Sequence, residues 1–424
     1  MTPRSLPFWT ILTIAIVACS YWVLHTDPSI PPPREPAKCI SEPPALSDLA
    51  EFPDWSDLDR YQGTISRSDF LREMNDIYTT SSAWLEWFDI GDDTVTIQTG
   101  TDEPYVLNFA PDGISAIPSR RWRSSDQLPP APEAQPLNGL KIAIDPGHIG
   151  GRWAKMEERW FQFGDTIPVQ EGDMTLKVAK LLKPQLEALG ATVTLVRTDT
   201  EPVTDLRPDL LQDQAISSQS GGDIVKLAER LFYRTAEIRA RGELVNQTIQ
   251  PDLVLCLHFN ADAWGDPKAP SLVGSNHFHM ILNGGYTDSE VALADQRHDL
   301  LLNLLQRVHS EEAKISASVV SAFLEKNEMP PFPYNPLAGN VRNVDSNPYL
   351  WARNLLANRI YQCPVIYFEP YVMNSQEDYD RIQAGDYEGL REVAGKLRPS
   401  IFHEYADCAT LGVERYYRSS RPTR

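Results

Sequence analysis

Positive charge is what this 424-residue chain has least of: 39 Lys and Arg stand against 58 Asp and Glu, for a formal net charge of −19. Nucleic-acid binding rests on a field of basic side chains that displaces counterions, and no basic arm is present, so the composition argues against a nucleic-acid partner. Cysteine is scarce too. The five cysteines, at positions 19, 39, 256, 363 and 408, include no close pair at metal-site spacing. Cys256 and Cys363 fall in apolar strand-like runs and read as small buried hydrophobes. A Cys39–Cys408 disulfide is permitted in an oxidising compartment, but the sequence does not establish it.

Proline, by contrast, is abundant at 34 residues, and its densest stretches divide the chain. The divisions are an N-terminal segment 1–24, a proline-rich linker 25–45, a small α+β domain of unknown role 46–123, a second linker 124–138, a large domain 139–400 and a C-terminal tail 401–424. The first segment has Arg4 followed by an almost uncharged apolar run from Leu6 to Leu24. About 18 apolar residues can span a bilayer, so this is an export element, either an uncleaved membrane anchor or a lipoprotein signal with Cys19 as the acylated residue. Both place the rest of the chain on the periplasmic side, tethered to the membrane.

In 46–123, Ser66 to Asp69 has the form of a capping box, followed by apolar residues at helical spacing, and two alternating runs, Thr94–Thr99 and Tyr105–Phe109, read as a hairpin. Trp84, Trp87 and Phe88 are core aromatics on this reading. From Leu140 onward, continuous apolar runs alternate with amphipathic helices, which implies an α/β domain with a mostly parallel central sheet flanked by helices. Pro184 is expected to kink or split the helix that begins near Met174.

Four side chains fall where such a sheet places its ligands, at or just beyond strand ends. His148 follows the run Ile142–Asp145 across a Pro-Gly turn, His258 ends Leu253–Leu257, Glu171 opens the helix after the first strand, and Glu369 ends Val365–Phe368. Two imidazoles and one carboxylate make a catalytic rather than a structural zinc set, with a fourth position left for solvent. An ionised Glu369 is costly to bury without a partner, so it reads as a general base, or else as an ion-pair partner of Arg342 or Arg353. His277, His279, His298 and His309 are read as structural. The long loop 149–170 carries Trp153 and Trp160, which would form either a sugar-stacking lid or a hydrophobic plug.

The blocks Ile144-Asp145-Pro146-Gly147-His148, Glu171 to Leu176, Leu189 to Arg197, Asp252 to Ala261, and Pro364 to Glu369 with Asn374 follow one another in an order that resembles the type 3 family of zinc-dependent N-acetylmuramoyl-L-alanine amidases. The resemblance spans 140–394. It implies one Zn2+ held by His148, Glu171 and His258, Glu369 as the acid and base, and Asn260 orienting substrate or the His258 loop. The implied substrate is peptidoglycan, cut between N-acetylmuramic acid and L-alanine. Asp145 is expected to steady the His148 turn rather than bind metal. Two other functions remain open: a non-catalytic peptidoglycan-binding scaffold, and a zinc peptidase acting within stem peptides.

Overall fold

The apolar runs become strands because each can bury both faces. A computed structural model describes residues 45–112, 120–218 and 222–421. The segment read from the sequence as an export element, with Cys19 and Cys39, lies outside the described residues. Among the described residues no helix is long and apolar enough to cross a membrane.

Three short strands, β1 (Phe88–Ile90), β2 (Thr94–Ile97) and β3 (Tyr105–Asn108), form an antiparallel sheet near the start. Ahead of them Ser66 caps the helix Arg67–Glu73 by accepting from the Asp69 amide at 3.1 Å. The principal sheet contains β4 (Lys141–Pro146), β7 (Thr192–Leu195), β8 (Leu253–Leu257), β9 (His279–Leu282), β10 (Arg342–Asn343), β11 (Leu350–Ala352) and β12 (Val365–Glu369). A two-residue ribbon, β5 (Trp160–Phe161) with β6 (Val169–Gln170), lies outside it. The order across the sheet is β10-β11-β9-β12-β8-β4-β7. Four of its six pairings are parallel, and β12 runs antiparallel to β9. The sheet is therefore mixed but mostly parallel.

Alternation along the strands sorts the two faces. Ile142, Ile144, Leu255, Leu257, Met280, Ile366 and Phe368 share one core with residues from the helices Glu171–Ala188, Val308–Lys326 and Ile401–Ser420. Ala143, Val254, Cys256, Ile281, Val365 and Tyr367 face the other way, toward Val245 and Tyr361. With side chains of period two, this second face is also the one that carries Asp145, His258 and Glu369.

Three expectations meet differences. Helix Glu171–Ala188 is not split at Pro184; Leu182 and Leu186 bury on either side of it and hold the turn in place. It ends at Gly190, whose φ of 97° and contact with Asn138 suit only glycine. Residues 401–420, set apart from sequence as a tail, form a helix whose Ile401, Phe402, Tyr405, Ala409, Val413 and Tyr416 lie at helical spacing and sit in the main core. Within 124–138, Leu128 and Leu137 are buried in the same core despite the surrounding prolines.

Candidate active site

The turn after β4 is held by two buried arginines. Arg241 donates to Asp145 Oδ1 at 2.9 Å, to the Pro146 carbonyl at 2.9 Å and to the His148 carbonyl at 2.8 Å, and is itself gripped by Glu237 at 2.7 Å. Arg197 donates to the carbonyls of Pro146 at 3.0 Å and Gly172 at 2.5 Å. Asp145 also accepts from the Tyr361 hydroxyl at 2.5 Å. It is thus committed to holding the turn. His148 adopts a left-handed φ of 59°, a conformation that costs energy and persists because its carbonyl is pinned.

Gly147 is needed for a different reason. A Cβ on it would lie 2.3 Å from His258 Cε1 and 2.6 Å from Nδ1, so only a hydrogen leaves room for the second imidazole. Tyr367 stacks on the His258 ring, with centroids 4.6 Å apart and an 8° tilt, and the Tyr405 hydroxyl donates to the His258 carbonyl at 3.1 Å. The ring is fixed by packing rather than by a loop.

Glu171 joins the two. Its Oε2 is 3.2 Å from His148 Nε2 and 3.1 Å from Arg159 Nε; its Oε1 is 3.0 Å from His258 Nδ1 and accepts from the Phe259 amide at 3.2 Å. One donor atom from each of His148, Glu171 and His258 lies within 4.8 Å of the others. Burial opposes ionisation of Glu171, yet the two imidazoles outweigh it and hold its carboxyl well below the usual range. His148 is desolvated, but Glu171 and Glu157 raise it to about 9. His258 moves down instead, because burial exceeds the pull of Glu171. Such a set matches zinc in donor type, and its close spacing suits ligand bonds of about 2.0–2.2 Å. Glu157, whose carboxylate accepts from the Ile149 and Gly150 amides, sits 3.5 Å from His148 Nδ1 and can fix that ring's tautomer.

Glu369 shares with this trio a cavity of about 740 Å³. Its carboxylate makes no hydrogen bond or ion pair among the described residues, so neither Arg342 nor Arg353 claims it at contact distance. Burial, and then the charge of Glu171, push it up to about 8 against the pull of His148, Arg159 and Arg353. Asn260 lines the same cavity, and its amide nitrogen lies 3.3 Å from His277 Nδ1 and 3.4 Å from His279 Nδ1. Trp153 and Trp160 are not among the lining residues. Trp153 packs on Phe232 with centroids 5.2 Å apart, and Trp160 lies under the Lys155 ammonium at 4.3 Å. Trp264, backed by Phe161, does line the cavity, as do Tyr233, Phe259 and Tyr367.

Sequence reasoning did not single out Glu157, Arg159 or Trp264, which lie in loops without a pattern to mark them, and it named Arg353 only as a possible ion-pair partner of Glu369. His279 was read as structural. It is the cross-strand neighbour of Glu369, because β9 runs against β12 and so begins where β12 ends.

Among known proteins, the family model for N-acetylmuramoyl-L-alanine amidase matches residues 142–394, more than half of the chain, a stretch that contains His148, Glu171, His258 and Glu369. The chain belongs to that amidase family. "Probable cell wall amidase LytH" of Staphylococcus aureus is 30% identical over 125 residues, a match that covers 28% of this chain and 39% of the relative's length. Two solved structures resemble this amidase-family chain over 66% of its length: apo Ami1 from Mycobacterium abscessus, at 16% identity, 99% coverage of that chain and a TM-score of 0.36, and AmiC2 of Nostoc punctiforme, at 17%, 98% and 0.34. The family assignment rests on the match over 142–394.

Proposed function

We propose that this protein is a zinc-dependent hydrolase of peptidoglycan that cuts the amide between the lactyl group of N-acetylmuramic acid and L-alanine. The observation that carries the reading is the convergence of His148, Glu171 and His258 beside Glu369 in one cavity, within the stretch matched by the family. His148, Glu171 and His258 would hold the zinc ion. Zinc bound there supplies a Lewis acid that polarises a carbonyl and acidifies water.

The chain's own residues do the rest. Glu369 takes a proton from the attacking water as oxygen bonds to the lactyl carbonyl carbon, and returns it to the L-alanine nitrogen as the C–N bond breaks. Burial and the charge of Glu171 raise the Glu369 carboxyl toward the neutral range, where one group can both take and return a proton. The ionised form that the first half of the exchange needs would be favoured by a cation held by the trio. Arg159 keeps Glu171 oriented, while Arg241 and Arg197 fix the turn that presents His148. Tyr367 and Gly147 leave the His258 ring a single position.

Glu369→Gln is expected to retain the wild-type zinc content while kcat falls by about 10²- to 10⁴-fold. Hydrolysis by this variant at a near wild-type rate would sink the assignment of the base. Products separate the alternatives: free L-alanine amino groups with intact peptides mark an amidase, fragments of stem peptide mark a peptidase, and binding without cleavage marks a scaffold. The N-terminal segment would deliver the enzyme to the periplasmic side, tethered by its apolar run or by a lipid on Cys19. Membrane association that survives Cys19→Ala favours the apolar run.

A further inference from the structure

Four arginines line the cavity, and three are already committed. Arg159 pairs with Glu171 at 3.1 Å, Arg241 with Asp145 at 2.9 Å and Glu237 at 2.7 Å, and Arg234 with Glu158 at 3.3 Å. Arg353 is the exception among the described lining residues, with no carboxylate within the 4.0 Å of an ion pair. In a chain with a net charge of −19, a half-buried cation without an acidic partner is conspicuous.

The backbone of Arg353 is fixed at the edge of the cavity that it lines. It follows β11; its amide donates to the Leu282 carbonyl at 3.0 Å, and its own carbonyl accepts from Asn358 Nδ2 at 3.0 Å. The guanidinium neighbours the Tyr334 hydroxyl and acts on it, and that hydroxyl lies 3.1 Å from His279 Nε2. Phe332 packs against both Tyr334 and His279, with ring centroids 4.5 and 4.9 Å away. A neighbouring Tyr hydroxyl can take at most one of the guanidinium's five donors, and a planar fork of donors is the natural partner of a carboxylate. Glu369 does not fill that role: Arg353 ranks last among the charges that act on it, and the two make no contact.

We propose that Arg353 is a substrate-binding residue that clamps a free carboxylate on the peptide side of the scissile amide. The inference rests on the amidase reading, since in peptidoglycan the lactyl carboxyl is consumed in that amide and the free carboxylates belong to the stem peptide. Tyr334, steadied by His279 and Phe332, is the positioning residue that keeps the fork facing the cavity.

The test is calorimetric binding to the zinc-loaded full chain of two ligands that lack the scissile amide: L-alanyl-D-glutamate, the peptide-side product, and the same dipeptide with both carboxylates converted to carboxamides. A charge-assisted bidentate contact predicts that the wild type prefers the acid by about tenfold or more. In Arg353→Gln the Kd for the acid rises by about that factor, while the Kd for the amide stays the same. Arg353→Lys recovers part of the preference and controls for folding. Tyr334→Phe gives an intermediate ratio. A merely structural arginine would lower Tm without changing the acid-to-amide ratio. Equal wild-type affinity for the two ligands, binding of neither, or a preference that survives Arg353→Gln overturns the proposal. Peptidoglycan hydrolysis, followed in parallel on the wild type, reports on the amidase reading by itself.

Discussion

Within the site, single atoms decide the outcome. The two imidazoles come from segments more than a hundred residues apart, yet their ring centroids are 5.1 Å from each other. That approach depends on the absence of a side chain at Gly147, where a methyl group would overlap three atoms of the His258 ring. On the proposed function, Gly147→Ala should therefore displace His258, lower zinc occupancy in parallel with the proposed activity, and cost about 1–3 kcal/mol of stability through overpacking. Metal content by elemental analysis, set beside a thermal melt, checks this. Full zinc occupancy in the alanine variant would mean that the ring has somewhere to go, and that the packing account is wrong.

At the scale of elements, the sequence carried most of the site and the sheet explains why. His148, His258 and Glu369 each end or follow an apolar run, and a strand that ends in a polar, ionisable residue is a local signal that needs no partner to be seen. The residues that were missed owe their positions to topology instead. His279 begins its strand, and only the antiparallel β9–β12 pairing brings it beside Glu369. Arg353, named from the sequence only as a possible partner of Glu369, follows a strand two places away from β12, and Glu157 and Arg159 come from a loop whose path no periodicity records. The same logic hid the helix Ile401–Ser420, which has the right spacing but follows a domain that already looked complete. Helix Val308–Lys326 offers a test at this scale. Its Glu312 is buried and accepts from the Val365 amide at 2.9 Å, at the start of the strand that ends in Glu369. Burial pushes its carboxyl up to about 8 from 4.5, against the pull of the Val365 and Asn283 amides. Between those values the folded chain keeps a proton that the unfolded chain has lost. The folded state is then the one that binds more protons, so this group's stabilisation is complete below pH 4.5 and is lost as pH rises through about 8. Glu312→Gln keeps an acceptor for Val365 and removes the titration. Its advantage over the wild type should grow across that window, to on the order of a few kcal/mol, and level off above it. Denaturant melts of both proteins at several pH values measure the difference, and parallel stability curves would refute the assignment.

Across the whole molecule, the N-terminal α+β region and the amidase fold share side chains rather than merely a linker. Trp55, Leu58, Tyr61, Phe70, Trp84, Val95, Ile97 and Leu107 pack in one core with Tyr286, Leu300, Leu301, Leu304 and Leu305, and the last four come from the helix Ala294–Gln306 inside the family-matched stretch. Arg297 of that helix donates to the Gln98 carbonyl at 3.1 Å and lies 4.2 Å over the Trp87 ring, while the Tyr78 carbonyl accepts from the Tyr286 amide at 2.8 Å. Gly285 extends the seam, donating to the Ile77 carbonyl at 2.8 Å. Two bodies that bury the same leucines should unfold together. Leu300→Ala opens a cavity at that shared core and is expected to cost about 2–5 kcal/mol. Because the leucines serve both sides, the loss should appear as a downward shift of one cooperative calorimetric transition, with the near-ultraviolet signal of the N-terminal region's tryptophans and the proposed hydrolytic activity disappearing at the same temperature. Two transitions, of which the mutation moves only the lower, would mean that the N-terminal region folds on its own and leans on the amidase fold without stabilising it.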